Sequence, residues 1–140
     1  MSAVQQLFFG ISMGAPPGPT YSWTARESAR QWRSVASSSD GVKLVAVAYS
    51  GLIYTSTDSG VNWTARDSIR QWTGVSSSSD GTVLFATEDA GNIYTSIDSG
   101  VTWSVSSGAG TNAWTAIASS SDALKVVAVT NSDLIYTGQS

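Results

Sequence analysis

Residues 63–102 read WTARDSIRQWTGVSSSSDGTVLFATEDAGNIYTSIDSGVT, and residues 23–62 read WTARESARQWRSVASSSDGVKLVAVAYSGLIYTSTDSGVN. The two stretches align without a gap. Trp23, Trp63 and Trp103 are 40 apart, and Trp32 and Trp72 repeat the step. Trp114 follows Trp72 after 42 residues, and Tyr54, Tyr94 and Tyr136 keep the steps of 40 and 42. The two extra residues lie in one linker, since Trp63 to Trp72 spans nine positions and Trp103 to Trp114 eleven. A third stretch, residues 103–140, reads WSVSSGAGTNAWTAIASSSDALKVVAVTNSDLIYTGQS. Self-similarity at a fixed period of this length marks a repeat architecture.

Each unit divides into short strands. In the first, residues 32–37 form an inner strand. Ser38-Ser39-Asp40-Gly41 is a turn, because Asp-Gly tolerates positive φ. Lys43 to Ala48 carries Val and Ala on both parities and is expected to be buried on both faces. Tyr49-Ser50-Gly51 turns again, Leu52 to Ser56 is a third strand, and Asn62 to Arg66 a fourth. No stretch repeats apolar residues at i, i+3, i+4, so helix is not expected. Four strands per period of about 40–45 residues is the arithmetic of a β-propeller blade. The fold class read from this is all-β, with about three four-stranded blades at 31–66, 71–106 and 112–140. A single β-sandwich is the alternative, but it does not require identical spacing.

Composition narrows the function. The chain has 140 residues, 41% hydrophobic and 12% charged, which suits one domain with a buried core. Seven Lys+Arg against ten Asp+Glu give a net charge of −3, which argues against general nucleic-acid binding. With no Cys and no His, disulfides, thiol nucleophiles, Cys/His zinc sites and imidazole bases are excluded, and no cofactor is implied. No segment approaches the ~20 apolar residues of a membrane helix, so membrane insertion is not expected. The opening MSAVQQLFFGISMG has no Lys or Arg before its apolar run and makes a poor signal peptide.

Between the third and fourth strands lie Ser56-Thr57-Asp58-Ser59-Gly60-Val61-Asn62-Trp63 and Ser96-Ile97-Asp98-Ser99-Gly100-Val101-Thr102-Trp103. These resemble the Asp box, or BNR repeat, Ser/Thr-x-Asp-x-Gly-x-x-Trp, of sialidases, sortilin-type receptors and some glucan hydrolases. The resemblance covers roughly residues 21–140 and implies a propeller. A carboxylate in such a turn can accept hydrogen bonds from the turn's own N–H groups and hydroxyls. Gly60 and Gly100 supply backbone freedom, and Trp63 and Trp103 are expected to fill the space between blades. Asp58 and Asp98 are therefore read as loop clips; the alternative is a metal ligand or catalytic acid.

The third copy reads Thr137-Gly138-Gln139-Ser140 where the Asp box would begin, and one period before Asp58 stands Gly18. The expectation is an outer strand over 21–28 that lacks its blade, and a last blade that lacks its outer strand. Closed propellers have ~4–8 blades. Copies are expected to join head to tail until the ring closes. A homodimer of six blades is preferred, and a homotrimer of nine is the alternative. Trp23 and Thr24 of one chain would meet Ile135 and Tyr136 of its neighbour. A fragment of a longer propeller, natural or designed, is a further alternative.

Residues 1–20 stand outside the repeat. Gln5 to Gly10 reads as an anchor to a larger assembly, an extra strand at the ring edge or a frayed terminus, followed by a Pro-rich connector. The loops segregate by face. Asp40, Asp58, Asp80, Asp98 and Asp122 share one face with Lys43 and Lys125. Arg26, Arg30, Arg33, Arg66 and Arg70 gather near the other. Arg30-Gln31-Trp32 and Arg70-Gln71-Trp72 place planar donors beside an aromatic, which suits carboxylates or sugars. Alternatively, these Arg pair with Glu27 and Asp67 in their own loops.

An enzyme is not expected. Glycosidases need a carboxylate pair at set separation, and nothing marks Glu27 or Glu88 as part of one. Two non-catalytic classes remain. The opening Met1 to Leu7, the apolar-Gly run and the Pro/Gly linker resemble small structural proteins of marine bacteriophages, some of which carry similar Trp-Thr-Ala-Arg and Ser-Ser-Ser-Asp-Gly repeats. That resemblance implies a virion protein, a capsid decoration or tail component. The other class is a multivalent glycan-binding lectin or adhesin, with an extracellular location.

Overall fold

The computed structural model describes residues 14–131 and 133–140. The strand or anchor expected over Gln5 to Gly10 lies outside the described residues. Among the described residues all regular structure is strand: β1 Trp32–Ser37, β2 Leu44–Ser56, β3 Thr64–Ser77, β4 Leu84–Glu88, β5 Ile93–Ser96, β6 Ser104–Val105, β7 Trp114–Ser119, β8 Lys125–Thr130 and β9 Ile135–Gln139. Every strand pair is antiparallel, in one sheet ordered β1-β2-β3-β4-β5-β6 and a second ordered β7-β8-β9.

The six-stranded sheet holds two blades, because β2 and β3 each do two jobs. β2 turns sharply at Ser50, whose φ is 53°. A Cβ on Gly51 would sit 2.9 Å from the Ala48 Cβ, which shows how tight the reversal is. The first limb of β2 pairs with β1, with Val35 opposite Ala46. The second limb pairs with the start of β3, with Ile53 opposite Arg66, Tyr54 opposite Ala65 and Thr55 opposite Thr64. β3 then runs on as the inner strand of the second blade, where Val75 faces Ala86. The fourth strand of the first blade starts at Thr64 rather than Asn62, because Asn62 is held by the turn before it.

The core lies between blades. Val45, Val47, Ile53, Trp72, Val75, Leu84, Ala86 and Tyr94 form one buried cluster; Ile93, Trp114 and Ala128 form another. Trp72 meets the Tyr94 ring edge-on at 5.1 Å, and Trp114 meets Tyr136 at 4.9 Å. These two Trp are the wholly buried ones. Trp63 and Trp103 are half-buried, each indole bonded to its own turn, and Trp103 packs against the larger cluster.

Burial follows the repeat until it meets a flank. Trp72 and Trp114 are 0% exposed, but their counterpart Trp32 is 36% exposed, because among the described residues no strand packs on its outer flank. Ile53 and Ile93 are 0% and 7% exposed, but Ile135, on the edge strand β9, is 72% exposed. Residues 14–31 belong to no strand. The outer strand expected over 21–28 thus has no ladder among the described residues, and Tyr21 and Trp23 stand 71% and 92% exposed.

Candidate functional site

The two Ser-x-Asp-x-Gly-x-x-Trp turns close on themselves. The Ser56 hydroxyl donates to Asp58 Oδ1 at 2.8 Å and accepts from Gly60 N–H at 2.9 Å. Asn62 donates to both carboxylate oxygens, from its backbone N–H at 2.9 Å and its side-chain amide at 2.7 Å. Trp63 Nε1 donates to Gly60 O at 3.0 Å. The second turn repeats this: Ser96 to Asp98 at 2.8 Å, Gly100 N–H to Ser96 at 2.8 Å, and Trp103 Nε1 to Gly100 O at 3.0 Å. Thr102 takes the place of Asn62, with its N–H at 2.9 Å and its hydroxyl at 2.6 Å from Asp98. Gly100 has φ of 87°, and a Cβ there would come within 2.6 Å of Thr55 Cγ2, so both conformation and space call for glycine.

Sequence reading missed a second set of clips. In each Ser-Ser-Asp turn the first Ser hydroxyl donates to the Asp: Ser38 to Asp40 at 2.6 Å, Ser78 to Asp80 at 2.6 Å, Ser120 to Asp122 at 2.5 Å. These turns also join across blades. Ser39 N–H donates to Ser79 O at 2.7 Å, and Ser79 N–H donates to Ser121 O at 2.8 Å. The seam was visible only as three in-phase Ser, which local turn chemistry already explains.

All five carboxyls are held below the ordinary Asp value. The backbone N–H and side-chain amide of Asn62 bring Asp58 to about 2. The Thr102 hydroxyl and N–H bring Asp98 to about 2. The hydroxyls of Ser38, Ser78 and Ser120 lower Asp40, Asp80 and Asp122. A carboxyl depressed in the fold stabilises it above the unfolded value and loses that contribution as pH falls through the folded one. The chain has no His to titrate near neutrality. The melting temperature is expected to stay level from about pH 8 to about pH 5, then fall below about pH 4. A double Asp58→Asn, Asp98→Asn variant should show a shallower acid limb; a main loss between about pH 7 and pH 5 would contradict this account.

On the other face the guanidinium groups are engaged within the chain. Arg30 pairs with Glu27 at 3.1 Å and lies 4.6 Å from the Tyr54 ring centre. Arg70 lies 3.6 Å from Asp67, 3.8 Å from Glu88 and 4.7 Å from the Tyr94 ring centre. Gln31 and Gln71 contribute their carbonyls, accepting from Tyr49 N–H at 2.9 Å and Asp89 N–H at 2.8 Å. Nearby, Arg33, Tyr49, Thr73, Asp89, Trp114, Thr115 and Asn131 line an open cleft of about 480 Å³. Among the described residues no cluster of three or more His, Cys, Asp or Glu could hold a metal ion.

No protein-family model matches the sequence, and no curated protein does. Solved structures do match. The structure described as YCF48 bound to D1 peptide covers 81% of this chain with a TM-score of 0.65 at 15% identity. YCF48 from Cyanidioschyzon merolae covers 76% with a TM-score of 0.61 at 20% identity. The GH74 enzyme of Niastella koreensis covers 76% with a TM-score of 0.59 at 22% identity. These are propeller proteins. The chain has the β-propeller fold. It spans 39%, 33% and 16% of the lengths of those three chains, and at such identities the likeness carries the fold alone. Among the described residues no helix is long and apolar enough to cross a membrane.

Proposed function

We propose that this chain is a non-catalytic structural protein whose Asp-box blades assemble into a closed ring displayed on a virion, as a capsid decoration or tail component. The reading rests on the pattern of exposure. In-phase side chains that are buried inside the repeat, such as Trp72 and Ile53, are uncovered on the two flanks as Trp32 and Ile135. The flanks are complementary by construction. The seam from Ser39 through Ser79 to Ser121 leaves Ser121 N–H at one end and Ser39 O at the other, the donor and acceptor of one more identical step. A second copy supplies that step, and two copies make six blades. The virion assignment draws on the likeness of Met1 to Leu7 and the Trp-Thr-Ala-Arg repeats to phage structural proteins, with residues 1–20 contacting other virion proteins.

The non-catalytic reading draws on the carboxylates. The turn Asp residues are occupied by their own turns, and Glu27 and Glu88 lie against Arg30 and Arg70. Asp89, which lines the open cleft, accepts from the Tyr49 hydroxyl at 3.4 Å and has no second carboxylate across that cleft among the described residues, where glycoside hydrolysis requires a pair.

Light scattering on the 140-residue chain is expected to give the mass of two 14.6 kDa chains. A trimer would keep closure and replace six blades by nine. A folded monomer at micromolar concentration would overturn the reading. The cleft at Arg33, Tyr49 and Asp89 favours one second reading, a multivalent lectin, because planar donors beside aromatic rings suit sugars. Binding on a glycan array that Arg33→Ala abolishes would favour the lectin.

A further inference from the structure

Resting on the head-to-tail reading above, we propose that Thr24-Ala25-Arg26 of one copy forms the fourth strand of the next copy's third blade, in a register already written in the first blade. There, Thr64-Ala65-Arg66 pairs with Ile53-Tyr54-Thr55. Both halves of that ladder recur: Thr-Ala-Arg at 24–26, and Ile-Tyr-Thr at 93–95, where Ser104-Val105 pairs with it in the same register, and at 135–137, where no strand among the described residues does. The second pair of halves is held apart. β9 is the edge of its sheet, with Ile135 72% exposed. Residues 24–26 belong to no sheet, and Trp23 before them is 92% exposed.

Transferring the register places Arg26 opposite Ile135, Ala25 opposite Tyr136 and Thr24 opposite Thr137. Arg66 Nε donates to the Thr55 hydroxyl at 3.1 Å, and Arg26 would meet Thr137 in the same way. Trp23 would then occupy the half-buried position that Trp63 and Trp103 hold in phase with it. Strand addition to an open edge satisfies the backbone groups of both partners, and alternate side chains fix the register.

An independent observation concerns the path that follows the strand. Glu27 has φ of 58° and Asp67 has φ of 54°, the same left-handed step at the same phase. Arg30 pairs with Glu27 at 3.1 Å as Arg70 does with Asp67 at 3.6 Å, and each Arg stacks on the in-phase Tyr. The connection from 26 to 32 thus keeps the shape of a connection between blades, although the described residues before it form no strand. It needs only a strand edge for 24–26 to lie on.

The chain has no native Cys, so an introduced pair reports one contact. Thr24→Cys with Thr137→Cys is expected to form covalent multimers in more than half of the chains on mild oxidation or with a short thiol cross-linker. Each single variant should stay monomeric on a denaturing gel. A second variant, Thr24→Pro with Ala25→Pro, removes both neighbouring N–H groups from a segment outside every sheet of the single chain. It should weaken assembly at least tenfold while the β-sheet signal is kept. An oligomer that neither cross-links nor responds to the prolines would overturn strand donation and leave ring closure standing. A monomeric parent chain would remove both.

Discussion

A chain carrying Trp72→Ala is expected to lose about 3–5 kcal/mol of stability, enough to unfold most of the population of a marginal domain. Trp72 is wholly buried at the heart of the larger cluster, against Tyr94 at 5.1 Å. A side chain of this size removes roughly 150–250 Å² from water, and the surrounding strands cannot close on the space it leaves. Its Nε1 also donates to Ser68 O at 3.3 Å, so the bend within β3 ahead of its inner limb loses a tie. Denaturant unfolding would show a lower midpoint with little change in slope. Trp32→Ala is the informative partner. The same residue one period earlier is 36% exposed, and its loss should cost the isolated chain much less. On the proposed ring it should weaken association instead. Equal costs in the two variants would mean that blade position does not govern burial.

The sequence exposed the repeat because the large aromatics cannot drift. Trp72 and Trp114 are each packed edge-on to a Tyr, so both members of the pair hold their phase. The strand count followed from turn chemistry, and Ser56, Asp58, Gly60 and Trp63 come together in one turn as their spacing suggests. What stayed hidden depends on distance across the fold. Ser39, Ser79 and Ser121 look like ordinary turn residues, and only the packing of blades makes them a seam. Trp63 and Trp103 read in sequence as inter-blade fillers; Trp103 does pack against the larger cluster, while the bond of each indole to its own turn leaves both half-buried. The linker before Trp114 also hides a cost. It is two residues longer than its counterpart, and the buried Trp114 Nε1 has no acceptor among the described residues, where Trp72 Nε1 has Ser68 O. The Arg residues were ambiguous, because ion pairing with Glu27 and Asp67 competes with ligand binding for the same groups, and in the single chain the pairing is made.

Gly74 is expected to be the least replaceable small residue. A Cβ there would lie 2.8 Å from Thr87 Oγ1, 3.1 Å from Ala116 Cα and 3.3 Å from Ile117 N. Two of those neighbours are backbone of β7, so the second and third blades could accept a methyl group only by moving apart. That movement would stretch the bond from the Thr73 hydroxyl to Trp114 O, now 2.8 Å, which ties the same two strands together. Replacing Gly in a strand recovers roughly 0.5–1 kcal/mol of backbone entropy, whereas forcing atoms into a packed contact costs about 1–3 kcal/mol. The second effect prevails. Gly74→Ala should lower the unfolding midpoint, and Gly74→Val should lower it further, with Trp114 emission shifting to the red as its pocket opens. The in-phase positions hold Ser34 and Ala116; Ser34 faces the second blade as Gly74 faces the third, and there the hydroxyl accepts from Val75 N–H at 3.2 Å, so a side chain fits at that position only where it makes this bond. If Gly74→Ala left the midpoint unchanged, the close approach of the inner strands would not be what sets the spacing of the blades.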